Sequence, residues 1–78
     1  MREQVINIIK RVTGYDEISE GTDLLEEDIL DSLAFIELIT ELEDTFNIEI
    51  QPTQIPSDTW RSIDGIVKLC LEKKRMIW

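Results

Sequence analysis

Between residues 32 and 46 the chain has neither glycine nor proline, and Phe35, Leu38, Ile39, Leu42 and Phe46 recur at i, i+3, i+4, i+7 and i+11. That spacing places all five on one stripe of an α-helix, which stays helical only if other segments cover the stripe. Asp31 or Ser32 supplies the N-cap and Asn47 can close the helix. The five apolar residues are expected to be buried. Leu33 and Ile36 fall outside the stripe, among Glu37, Thr40, Glu41 and Asp44, so the core does not explain them.

With 78 residues in all, the cover must come from the flanking segments, because a chain of this size supports one core. Residues 1–78 are read as a single domain. Val5, Ile8, Ile9 and Val12 keep helical spacing and Gly14 stands in position to stop the segment, which predicts a helix over residues 2–13. From 14 to 31 the chain has Gly21, many acids and the apolar anchors Ile18, Leu24, Leu25, Ile29 and Leu30 without a period, the pattern of a long loop pinned over the core. Asn47 to Ile50 alternates briefly, but Pro52 and Pro56 follow, so an extended linker is expected and no strand. Pro56 and the Ser57-Asp58 pair suit a short helix over about 56–61. Ser62 then caps a last helix, about 62–74, with Ile63, Ile66, Val67 and Cys70 on one face and Lys68, Lys73, Lys74 and Arg75 complementing its carbonyl end. Met76-Ile77-Trp78 is left as a tail. The fold class is all-α: a small bundle with three principal helices, one short third helix and a long first loop that lets helices run antiparallel.

Composition narrows the function. Seventeen acidic residues against eight basic ones give a net charge of -9, which opposes nucleic acid and anionic membrane surfaces, favours basic protein partners and argues for a monomer. There is no histidine, the usual base for an activated nucleophile, and Cys70 is the only cysteine, which leaves no disulfide or cysteine-based metal site. No apolar run has the length of a signal peptide or a membrane span, and the cytoplasm is the expected compartment. These features speak against an enzyme.

Asp31-Ser32-Leu33, at the head of the central helix, is the constellation that carries chemistry. Taken alone, serine there reads as a cap. Here, however, it leads into an acidic helix whose core stripe is already complete, and Leu33 and Ile36 lie within a turn of it, an apolar patch rimmed by carboxylates that reads as a docking surface. Together with Ile36-Glu37-Leu38, Leu42-Glu43 and Phe46-Asn47-Ile48-Glu49-Ile50, the motif resembles the second-helix signature of acyl carrier proteins, and the helix order and chain length agree over the whole sequence. The resemblance implies a four-helix carrier fold and 4'-phosphopantetheine, received from coenzyme A on the residue matching Ser32, with Asp31 and Leu33 completing the motif. It further implies that an acyl or aminoacyl group is carried as a thioester and that a phosphopantetheinyl transferase, an acyl- or aminoacyl-adenylating ligase and a downstream acyltransferase or synthase are the partners. Leu33, Ile36, Glu37, Glu41 and Asp44 would then meet basic partner enzymes, the acids steering encounter; each acid alone is also compatible with a solvated helix face.

Ala34 departs from the fatty-acid type of carrier, which has an acid directly after the Ser-Leu pair, and so speaks against docking to fatty-acid synthase enzymes. Ile55-Pro56-Ser57-Asp58-Thr59-Trp60 resembles the D-alanyl carrier branch, whose cargo is aminoacyl; Trp60 equally suits a core aromatic closing the bundle. The pathway thus stays open among lipid, D-alanyl cell-wall and peptide or polyketide synthesis. A fatty-acyl cargo would gain from parting the core stripe and the anchors Leu24, Leu25 and Ile29, whereas an aminoacyl group is too short and polar to do so. The alternative reading is an acidic helical interaction module without a prosthetic group. A calcium-sensing version of it would use the loop acids Asp16, Glu17, Asp23, Glu26, Glu27 and Asp28, which lack the spacing of an EF-hand.

Overall fold

The computed structural model describes residues 1–19 and 21–75. Helix α1 spans Arg2–Thr13, helix α2 Ser32–Phe46 and helix α3 Ile63–Arg75, with short 3₁₀ turns at Pro52–Gln54 and Ser57–Arg61 and no strand among the described residues. The architecture is all-α, as the hydrophobic periods require. Met76, Ile77 and Trp78, the tail set apart in the sequence, lie outside the described residues.

Each helix packs against the other two, and the Ser57–Arg61 turn packs on α3. The centre is formed by Val5 and Ile9 of α1, Leu38 and Leu42 of α2, Ile63, Ile66 and Cys70 of α3, and Leu24 of the first loop, all fully buried. At roughly 1.5–3 kcal/mol per buried aliphatic side chain, this cluster is the main term opposing chain entropy. Helix α1 stops where Gly14 enters the left-handed region at φ 79°, its N–H bonding to the Lys10 carbonyl. Asn47 does the same for α2 at φ 54°, and asparagine tolerates that conformation better than most side chains. The Ser62 hydroxyl caps α3, accepting the Gly65 N–H at 3.0 Å.

The structure corrects the expectations at Phe35 and in the linker after α2, and gives Trp60 the core place the sequence allowed it. Phe35 is only half-buried, while its neighbour Ala34 is buried at 5% exposure. Phe35 lies in the first turn of α2, above the centre, where its ring meets Trp60 edge-on at 4.9 Å instead of descending into the bundle. The linker after α2 is not simply extended, since Pro52–Gln54 closes a 3₁₀ turn. Before it, Ile48 and Ile50 are both buried, and the Glu43 side chain accepts the Ile50 N–H at 2.9 Å, so a side chain replaces the missing strand partner. Trp60 takes the core role at 3% exposure.

Two expectations follow. A Cβ on Gly65 would collide with the Thr59 carbonyl oxygen, a backbone atom that can give way only if the turn carrying it shifts; Gly65→Ala should therefore cost about 1–3 kcal/mol in urea unfolding by forcing the turn away from α3. Burial pushes the Cys70 thiol up to about 11. The unfolded thiol titrates near pH 8.5, so the contribution of Cys70 to stability should be constant below that value and decline as pH rises from there toward 11. A thiol reagent at pH 8 should label Cys70 only in denaturant.

Candidate functional site

The sequence left open whether Ser32 is a cap. Asp31 is the N-cap, with extended backbone (φ -81°, ψ -178°), its carboxylate accepting the Ala34 N–H at 2.8 Å and its carbonyl accepting the Phe35 N–H at 2.8 Å. Ser32 is thereby released from capping. It is exposed, stands in the first turn of α2, and its hydroxyl has no hydrogen-bond partner among the described residues. An exposed, unengaged hydroxyl at the positive end of a helix dipole suits attachment of a phosphate-linked group, whose negative charge the dipole favours. The residues present fit 4'-phosphopantetheine on that ground.

The first loop holds this helix start in place. Leu24, fully buried, donates its N–H to the Arg61 carbonyl at 2.6 Å and accepts from the N–H groups of Ile29 at 3.1 Å and Leu30 at 3.0 Å. Asp23 ties the same region to the 3₁₀ turn: one carboxylate oxygen accepts the N–H groups of Leu25 and Glu26, and the other pairs with the Arg61 guanidinium at 2.9 Å. Arg61 also reaches Asp58 at 3.1 Å. The Glu26 N–H, then Arg61 and the Leu25 N–H, outweigh partial desolvation and hold the Asp23 carboxyl below its usual range.

Beside Ser32 the chain leaves a cleft of about 250 Å³, walled by Leu25, Leu30, Phe35 and Trp60 and rimmed by Asp31, Ser32 and Ser57. Sequence reasoning did not place Phe35, Trp60 and Ser57 at the site. The available signal was the spacing of Phe35, one helical turn after Ser32, but the stripe assigned that ring to the core.

The docking residues separate. Leu33 and Ile36 are 67% and 61% exposed, unusual for large aliphatics, and Glu37 and Asp44 are exposed. Glu41 is half-buried and pairs with Arg11 of α1, so its charge is partly committed within the fold. Ile36, Glu37, Thr40 and Glu41 line a shallow groove of about 380 Å³ with Arg11 and Val12; Leu33 and Asp44 are not among its lining residues. Helix α2 has no basic residue in its first or last turn. Among the described residues, no group of three or more acidic or cysteine side chains is placed to hold a metal, and no helix is long and apolar enough to cross a membrane.

Residues 3–70 match the family model described as a phosphopantetheine attachment site. The chain is 42% identical over 76 residues to the D-alanyl carrier protein of Lactococcus lactis subsp. lactis (strain IL1403), covering 95% of this chain and 96% of that one. It is 39% identical over 70 residues to that of Streptococcus pyogenes serotype M5 (strain Manfredo), covering 87% of each. To that of Enterococcus faecalis (strain ATCC 700802 / V583) it is 33% identical over 70 residues, covering 87% and 90%.

The pH dependence of the loop staple follows from Asp23. Its folded pKa lies below the ordinary aspartate value of 3.8, so its contribution is full above that value and is lost as pH falls through the lowered one. In acid titration followed by circular dichroism, the stability gap between wild type and Asp23→Ala should be constant at neutral pH and should close only below about pH 3.8. A gap that closes near neutrality would point to another group.

Proposed function

Since the chain belongs to the phosphopantetheine-attachment family of carrier proteins, whose prosthetic group is covalent 4'-phosphopantetheine, we propose that Ser32 is its attachment residue and that the cargo is D-alanyl. The observation that carries the first part is the division of labour at the head of α2, where Asp31 caps and Ser32 is exposed and unbonded. The second part is supported by the relatives, which are named D-alanyl carrier proteins.

In the loading reaction the Ser32 oxygen attacks the β-phosphorus of coenzyme A. The hydroxyl proton leaves to a base of the transferase, the bond to the α-phosphate breaks, and 3',5'-adenosine diphosphate departs. The arm's terminal thiol then supplies a thioester activated for acyl transfer. This chain's residues position and present. Asp31 holds the first turn of α2 so that the hydroxyl faces outward, the Leu24 and Asp23 contacts fix the loop behind it, and Leu33 and Ile36 offer apolar contact to a partner while Glu37 and Asp44 attract basic surfaces. The partners on this reading are a phosphopantetheinyl transferase, a D-alanine-adenylating ligase and a downstream D-alanyl acyltransferase, all meeting the chain in the cytoplasm.

Intact-mass spectrometry after incubation with coenzyme A, magnesium and a broad-specificity phosphopantetheinyl transferase should show one phosphopantetheine on wild type and none on Ser32→Ala. The holo protein, given ATP and a D-alanine-adenylating ligase, should gain D-alanine in preference to L-alanine or a fatty acid. No gain of the arm would favour an acidic helical interaction module, and preferential charging with a fatty acid would move the chain to another branch.

A further inference from the structure

The arrangement beside Ser32 bears on what the tethered group can do once attached, an inference that rests on the attachment reading above. A flexible arm on Ser32 places its cargo within reach of the cleft lined by Leu25, Leu30, Phe35 and Trp60. The cleft is about 250 Å³, below the roughly 300–1,000 Å³ of pockets that enclose a drug-sized ligand. Trp60, at 3% exposure, belongs to the core and walls the cleft. The Phe35 ring meets it at 4.9 Å with the ring planes 86° apart, a favourable edge-to-face contact that braces both rings. Leu24, Leu38, Leu42, Ile63 and Ile66 are fully buried in the same apolar cluster. A close-packed interior has no free volume for a chain to enter without displacing side chains.

We propose that Trp60, braced by Phe35, is a specificity-determining residue that closes the bundle interior to the tethered group. A short, polar aminoacyl group then stays outside the bundle at the end of its arm, open to partner enzymes. A long apolar acyl chain finds no internal site and gains nothing from the carrier.

The test loads acetyl- or octanoyl-4'-phosphopantetheine onto Ser32 from the corresponding acyl-coenzyme A with a broad-specificity phosphopantetheinyl transferase, with mass spectrometry confirming each load, and compares thermal midpoints of the two forms. Wild type should show no difference between them. Trp60→Leu, which keeps an apolar residue but opens space, should be stabilised by octanoyl over acetyl by roughly 4–8 °C, the shift expected when a small domain gains a modest internal contact. Hydroxylamine should also cleave its octanoyl thioester several-fold more slowly. Phe35→Ala, at a half-buried position and less disruptive to folding, should show the same sign. Wild type stabilised by octanoyl as strongly as the variants would overturn the inference, as would two folded, loaded variants that show no difference. Absence of the mass gain on wild type would instead overturn the attachment reading, and this inference with it.

Discussion

Leu24 is a single loop residue with its side chain in the centre of the core and its backbone bonded in two directions, forward to Ile29 and Leu30 and across to Arg61. Those bonds convert a stretch without periodic structure into a fixed strap. The strap ends at Asp31, so the position of the α2 cap, and with it the direction in which Ser32 faces, follows from where Leu24 is seated. Burial of one leucine and satisfaction of its peptide groups are inseparable here, since an unpaired buried N–H or C=O would cancel much of the gain.

The site inherits rigidity from the strap and leaves mobility to whatever is attached. Asp31, Leu30, Phe35 and Trp60 are each held by a bond or a packing contact, whereas Ser32 is held only by its backbone. A carrier must be recognised by several enzymes in succession, and a stiff platform with a tethered reactive end separates recognition from delivery. The platform keeps one shape while the tether raises the local concentration of cargo wherever the platform docks.

Much of this was legible in the residues. The apolar period of 32–46, the stop at Gly14 and the caps at Asp31, Asn47 and Ser62 act locally, and local chemistry survives into the folded structure. Leu33 and Ile36 stood out because apolar residues off a complete stripe have no reason to be buried. What could not be read was tertiary. Phe35 keeps the spacing of the stripe, yet the choice between descending into the core and turning toward Trp60 depends on a residue twenty-five positions away. The Glu43 carboxylate that receives the Ile50 N–H looks in sequence like any surface acid, and Glu41 looks free until Arg11 is brought beside it by packing of α1 on α2. Periodicity reports which face a residue occupies, but not which neighbour awaits it there.

The absence of any cation from the last turn of α2 has an energetic side. Glu43 and Asp44 stand at the carbonyl end of the helix, where the dipole already concentrates negative charge and a lysine or arginine would ordinarily be found. The helix is thus electrostatically incomplete by itself, and its own sequence retains a repulsion that substitution could remove. A positive charge brought to that end relieves the repulsion, so on the docking reading proposed above part of the affinity for a basic surface is stored in the free protein. The same term shrinks as salt rises and screens it, so on that reading encounter is sensitive to ionic strength while apolar contact at Leu33 and Ile36 is not.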